Sequence, residues 1–370
     1  MRSGLGFLCA LLLAPGIWAA DYTFMPALPV ADAPAMPLLD LARCGSRLVA
    51  VGERGLAIYS DDMGESWVQA EMPVSQTLTA VYCLPSGKAW AVGHGGVILH
   101  SDDAGFNWSL QFDGNQANQQ WLDYTRQHKA ALEVAVAGTA DAAAANMELA
   151  LEDAHYAIED AEDAVLTGPA DPFLDIWFRN EHQGIAVGAY GMLYRTGNGG
   201  DSWELSIAGI DNPYRYHYYS IAETEEGVLF LSGEAGLLYR SLNEGVIWDR
   251  LDSNYDGSLF GLVVTQDQAV LGFGLRGNIL LSTDGGDSWQ PVAIRDNPRL
   301  SLYGGARLAD GSIALVGATG ALVTSGDHGR EFQGRVTAER NSLSAVAGES
   351  LHDSIAVGLA GLELLDEGEQ

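Results

Sequence analysis

The residues best equipped for chemistry in this 370-residue chain are its 49 aspartates and glutamates, its 8 histidines, a run of tyrosines and 3 cysteines. Two opposed carboxylates would suit glycoside hydrolysis, but among so many acids no pair stands out. The histidines are scattered, and no H-E-x-x-H or similar ligand spacing occurs, so no metal or cofactor is expected. Arg43, Arg179 and Arg307 could gather on a substrate carboxylate beside a tyrosine nucleophile, which is sialidase chemistry. The F/Y-R-I-P motif that would accompany it is absent. The sequence thus reads as a protein that binds rather than catalyses, the alternative being a glycan-binding or glycan-cleaving, sialidase-like protein.

The binding candidates fall in two places. In the run from Asp211 to Tyr219, Tyr214, Arg215, Tyr216, His217 and Tyr218 are amphipathic anchors of the kind enriched in interfaces. Strand alternation should bury about half of them. Between Gln116 and Val136 the chain lacks Gly and Pro, and Trp121, Tyr124, His128, Leu132 and Ala135 recur at helical spacing. Gly138 breaks this segment. A second helix, about Asp141 to Leu166, carries Leu151, Ala154, Ile158, Ala161 and Val165 on one stripe. Residues 115–172 are therefore expected to form an α-helical hairpin. Glu148, Glu152, Asp153, Glu159, Asp160, Glu162 and Asp163 crowd its second helix with like charge. Either they form a solvated face or a basic partner relieves the repulsion. Trp121, Tyr124, Glu152, Glu159 and Asp163 join the tyrosine run as partner-binding candidates.

An internal repeat supplies the frame. A G-x-x-G begins at Gly52, Gly93, Gly188, Gly233, Gly274, Gly317 and Gly358, spaced by roughly forty residues except for one longer step between Gly93 and Gly188. Six units continue into an S-x-D-x-G-x-S-W-like turn, an Asp box, at Asp62, Asp103, Asn198, Asn243, Asp284 and Asp327. Each unit reads as four short strands bounded by glycine. The fold class expected is all-β: a seven-bladed β-propeller over residues 21–370, with the helical hairpin inserted between the second and third repeat units. The Asp-box carboxylates suit their own turn's N–H groups; one per loop is too few for calcium. Because successive strands alternate direction, the glycine turns carrying Arg54, Tyr190 and Arg276 share a face with the hairpin and the tyrosine run. Cys44 and Cys83 hold equivalent places on adjacent blades, as a disulfide or as two buried thiols. The last unit lacks its outer strand, and Tyr22 to Leu28 are expected to pair with it and close the ring.

Residues 1–20 read as a signal peptide: Arg2, an apolar stretch from Leu5 to Ile17, and small residues Ala19 and Ala20. A periplasmic location is expected. The formal charge of −30 disfavours nucleic acid and direct binding to anionic membranes. No small-molecule ligand is specified.

At this point the repeat is recognisable. Its Asp box resembles the bacterial neuraminidase repeat. The whole unit, A-V-G-x-x-G followed by S-x-D-x-G-x-S-W, is similar to that of the photosystem II stability/assembly factor family of propellers. The resemblance implies a non-catalytic scaffold, assembly or accessory protein bound to a membrane protein complex. Exported relatives in non-photosynthetic bacteria extend that to a resistance-nodulation-division type exporter. One departure matters: the photosynthetic members present an arginine-rich patch, whereas arginines here are dispersed among 49 acids, which points away from a photosystem client.

Overall fold

A computed structural model describes residues 25–137, 142–296 and 299–365; the expected signal segment and Tyr22 to Phe24 lie outside the described residues. The apolar runs of the repeat form seven sheets, numbered 1 to 7 in chain order. Their first strands are Leu38–Cys44, Leu78–Cys83, Phe173–Phe178, Tyr218–Glu223, Leu259–Val264, Leu302–Arg307 and Leu343–Ser350. Each first strand lies beside the next, and the seventh lies beside the first, so the sheets form a closed, propeller-like ring around a channel. Second strands such as Ala89–Gly93 and Leu229–Gly233 are buried at every residue. Consecutive apolar residues allow this, because both faces of each sheet are covered.

The first glycine of each G-x-x-G has a steric rather than a conformational role. A Cβ at Gly52, Gly93, Gly188, Gly233, Gly274, Gly317 or Gly358 would meet a carbonyl oxygen just before its own sheet's first strand, closer than 3.0 Å. Left-handed conformations fall instead on the third and fourth residues of the motif in sheets 1 to 6, and Arg54, Tyr190 and Arg276 adopt them at φ 57, 52 and 60.

Opposite that glycine every first strand carries a β-bulge, between Leu38 and Asp40 in sheet 1 and at the matching place in each of the others. An extra residue shifts side-chain alternation by one. Several side chains at the bulges tie neighbouring sheets together. Ser344 Oγ donates to Leu38 O (3.0 Å), Val81 N to Asp40 Oδ2 (2.8 Å), Thr79 Oγ1 to Phe173 O (2.7 Å), Ile221 N to Asp175 Oδ2 (2.8 Å) and Leu262 N to Ser220 Oγ (3.3 Å).

The Asp boxes are self-contained. In the first, Ser60 Oγ donates to Asp62 Oδ1 (2.7 Å) while accepting from Gly64 N (2.7 Å), and Asp62 also accepts from Ser66 N (2.9 Å). These bonds hold Asp62 down at about 2. Trp67 Nε1 returns to Gly64 O (3.1 Å). The box glycines also interlock the ring. A Cβ on Gly64 would strike Ile355 of sheet 7, and one on Gly105 would strike Val49 of sheet 1.

Ring closure differs from the sequence expectation. Sheet 7 has three strands among the described residues, and residues 25–28 add no strand to it. Instead Ala27 N donates to Met72 O (3.1 Å) and Gln69 Nε2 to Leu28 O (3.1 Å), so this segment runs along the outer edge of sheet 1. The short turn Ala33–Ala35 then packs on the end strand of sheet 7. The edge strand Val68–Gln69 offers free backbone and side-chain groups where the extended chain passes, and the Leu38–Ser344 bond with its face-to-face packing closes the ring without added pairing. Sheet 6 gains a fifth strand, Ile294–Arg295, parallel to Phe332–Val336. Cys44 and Cys83 form a disulfide between sheets 1 and 2, their Cα atoms 5.2 Å apart.

Two outcomes follow for stability. Gly93→Ala, blocked by backbone, should cost about 3 kcal/mol or more in urea unfolding, whereas Gly285→Ala, with nothing near its Cβ position, should cost only about 1–2 kcal/mol for its positive φ. Equal costs would show that the strand can move away. Burial raises Asp40 to about 6 and Asp175 to about 7, against backbone N–H bonds that lower both. The folded state therefore holds these protons more tightly than the unfolded chain. Their stabilising contribution is full below pH ~4 and is lost as pH rises through about 6 and 7. Asp175→Asn removes one titration, so the unfolding free energy of the variant relative to the parent should rise by up to about 1 kcal/mol per pH unit between pH ~5 and ~7. A difference independent of pH would contradict the shift.

Candidate partner-binding cleft

The longer repeat step folds into two helices, α1 (Gly114–Ala137) and α2 (Ala142–Thr167), packed on each other. Local sequence sets their ends. Asp113 Oδ1 accepts from Asn115 N (2.7 Å) and Gln116 N (3.1 Å), and Gln116 Oε1 accepts from Asp113 N (3.1 Å), a reciprocal N-terminal cap. Gly168, at φ 95, ends α2 by donating to Ala164 O (3.1 Å), and Pro169 follows. The base of the hairpin is tight. A Cβ on Gly114 would fall against Pro169 and the Gly95 carbonyl, and sheet 2 alone places glycine at the third position of its turn, Gly95.

The hairpin is fixed to the ring rather than a free arm. Gln120 Nε2 donates to Trp203 O (2.7 Å) and Gln120 Oε1 accepts from Leu205 N (2.8 Å), pairing with the outer edge of sheet 3. Tyr194 Oη donates to Ala117 O (3.2 Å), and Ala117 is buried with Phe112, Phe173 and Tyr194.

Helix packing leaves the aromatic part of the α1 stripe partly uncovered. Trp121, Tyr124 and His128 stack in series, with centroids 5.6 and 5.9 Å apart, along one wall of a cleft of about 670 Å³. Asp153, Tyr156 and Asp160 of α2 form a second wall, and Tyr190, Asn212 and Arg215 a third. Arg215, held at φ 52, lays its guanidinium 4.4 Å from the Trp121 ring centroid and donates from Nε to Tyr190 O (3.2 Å). Desolvation lowers its pKa while Asp171 and Asp160 oppose that; burial raises Asp171, against the pull of Arg215 and His217. Asn212 clasps the tyrosine loop, donating to Tyr216 O (2.9 Å) and accepting from Tyr216 N (3.0 Å). His217 Nδ1 accepts from Tyr190 N (2.8 Å).

Of the residues singled out from sequence, Trp121, Tyr124, Tyr190 and Arg215 meet in this cleft, and Tyr214, 75% exposed, lies between the lining residues Pro213 and Arg215 with its ring beside Tyr216. Tyr218 is a core residue: it begins the first strand of sheet 4, and alternation turns it inward, so it contributes only floor. Glu152, Glu159 and Asp163 are exposed on α2 and do not line the cleft; the acids one position along, Asp153 and Asp160, do. Arg54 and Arg276 lie on sheets 1 and 5, away from it. Asn212 went unflagged, although an Asn-Pro pair is a turn signal.

The fold is propeller-like and is built on the Asp-box repeat, with one open aromatic-walled cleft beside the helical hairpin. Residues 163–293 match the family described as photosynthesis system II assembly factor YCF48. The photosystem II assembly lipoprotein Ycf48 of Synechococcus sp. (strain CC9902) is 29% identical over 138 residues, 35% of this chain and 40% of that protein, so the match spans less than half the length of this relative. The structure of YCF48 from Cyanidioschyzon merolae superposes with a TM-score of 0.60 over 90% of this chain and 96% of that one, at 14% identity. YCF48 bound to D1 peptide gives 0.58 over 91% and 97%, at 16% identity. Over residues 163–293 the chain is similar to photosystem II assembly factors, and its fold is that of their β-propellers.

A double-mutant cycle on Trp121→Ala and Arg215→Ala should return a coupling of about 0.5–1 kcal/mol in unfolding free energy. Zero coupling would mean the two side chains do not stack in solution.

Proposed function

We propose that this protein is an exported, periplasmic, non-catalytic propeller of seven blades, the last of them three-stranded, that serves as a scaffold or assembly factor for a membrane protein complex and grips its partner in the cleft between the helical hairpin and the tyrosine loop. The observation that carries the reading is the convergence of Trp121, Tyr124, Tyr190 and Arg215 from three separate parts of the chain into one open, aromatic-walled groove. Such rigid amphipathic side chains are the usual anchors of protein interfaces. The relatives support it in kind: one is an assembly lipoprotein, and another is a propeller holding a peptide. A resistance-nodulation-division type exporter is the client the family resemblance suggests.

Because α1 covers part of the core, deleting the hairpin would expose Phe112 and Tyr194. Point variants at exposed sites are the better test. Tagged protein purified from detergent-solubilised envelope should enrich an exporter or another defined membrane complex. Tyr214→Ala with Tyr156→Ala should cut that recovery by about tenfold at unchanged thermal stability. Equal recovery by parent and double variant would sink the cleft as the docking site.

A further inference from the structure

The β-bulges place the second residue of several first strands in the channel, and this ring of positions is strongly asymmetric. Sheets 4, 5 and 6 contribute Tyr219, Phe260 and Tyr303, a continuous aromatic arc with centroids 5.2 and 5.9 Å apart. Tyr303 is 43% exposed, although it points into the middle of the ring. Behind the arc, sheets 5 and 6 carry glycine at the third position, Gly261 and Gly304, against the Phe273 ring and the Ser344 carbonyl, so no further side chain enters there. Sheets 1 and 3 carry Asp40 and Asp175 at the corresponding third position. The result is a cavity of about 480 Å³ with aromatic faces on one side and two carboxylates on the other.

No Lys, Arg or His lines this cavity among the described residues. Each carboxylate oxygen accepts one backbone N–H, from Leu41 and Val81 for Asp40 and from Ile176 and Ile221 for Asp175. Those bonds offset part of the desolvation but supply no positive charge, so the two acids share a protein-walled space with no counter-ion. A cation entering there replaces a proton, and the uncovered ring faces favour one that is partly apolar. The volume suits a small organic molecule.

We propose that this cavity binds a small arylalkylammonium ion, with its ring against Tyr219, Phe260 and Tyr303 and its ammonium group between Asp40 and Asp175. The site is separate from the hairpin cleft and stands whether or not that cleft docks a partner. Phenethylammonium, titrated calorimetrically into the purified protein at neutral pH, should bind once per chain in the micromolar-to-millimolar range. Neutral 2-phenylethanol should bind about tenfold more weakly or not at all, and ammonium ion alone should not compete at equal concentration. Asp175→Asn, which keeps an acceptor oxygen, and Tyr303→Leu, at an uncovered position, should each weaken phenethylammonium about tenfold while retaining a folded circular dichroism spectrum. Tyr303→Leu keeps the test valid if Asp175→Asn unfolds. Absence of binding, equal binding of the neutral analogue, competition by ammonium alone, or parent-like affinity in Tyr303→Leu would each overturn the proposal.

Discussion

The structure rests on one close approach of backbone to backbone. In every sheet the second strand ends on a glycine whose missing Cβ lets the carbonyl just before the first strand come into van der Waals range. That contact is what allows the first strand to bulge beside it. The bulge in turn sets which side chains enter the channel and which reach the next sheet. Remove the glycine and the hydrogen bonds of Asp40, Thr79, Asp175, Ser220 and Ser344 to neighbouring sheets lose their geometry together. The Asp boxes act at the opposite end of the ring and are local by comparison. Their Ser, Asp and Trp satisfy one another, while the box glycine and a few carbonyls, such as Asp103 O accepting from Arg47, reach the adjacent sheet.

The same geometry explains where individuality is tolerated. The connection between sheets 2 and 3 leaves at the glycine-turn face, where the first strands begin, and a long insertion there disturbs no ladder. It still needs accommodation, and glycines at 95, 96 and 114 provide it. Gln120 then uses its amide to satisfy one N–H and one C=O of a strand edge that would otherwise face water. The hairpin is thereby part of the sheet system, and the aromatic residues of α1 are presented at a fixed angle to the tyrosine loop. A rigid aromatic wall costs little conformational entropy when a partner arrives.

Local signals were legible in the sequence and one-residue offsets were not. The repeat, the Asp boxes, the helices and their breaking glycine all follow from spacing within a dozen residues. The convergence of Trp121, Tyr124, Tyr190 and Arg215 on one face follows from strand direction alone. The bulge leaves no compositional mark: alternation buries about half of the run from Tyr214 without saying which, so the binding candidate Tyr218 is core and nothing hinted that Tyr219 enters the channel. The closure of the ring misled for a related reason. An unpartnered edge and an unpartnered segment look complementary in sequence, but the described part of that segment, residues 25–28, lies along a nearer edge on sheet 1. On α2 the charge run was plain, yet only helical phase separates Asp153 and Asp160, which face the cleft, from Glu152 and Glu159, which face water.

Acidic residues show most clearly why position outweighs type. Most of the acids among the described residues are solvated, where a charge costs little and its neighbours are screened. Asp62 and Asp284 lie at the surface but are held at about 2 by their turn hydroxyls and amides; they serve the backbone and have no acceptor capacity to spare for a ligand. Asp40 and Asp175 have the same side chain and also bond to amides, yet burial dominates and moves them the other way. Two carboxylates that protein surrounds and no cation balances are a standing cost to the fold. The bulge-site serine and threonine in other sheets show that a neutral hydroxyl can tie neighbouring sheets together without it. Five of seven sheets avoid a carboxylate at this position, so the two that keep one carry a desolvation cost that tying the sheets together does not require.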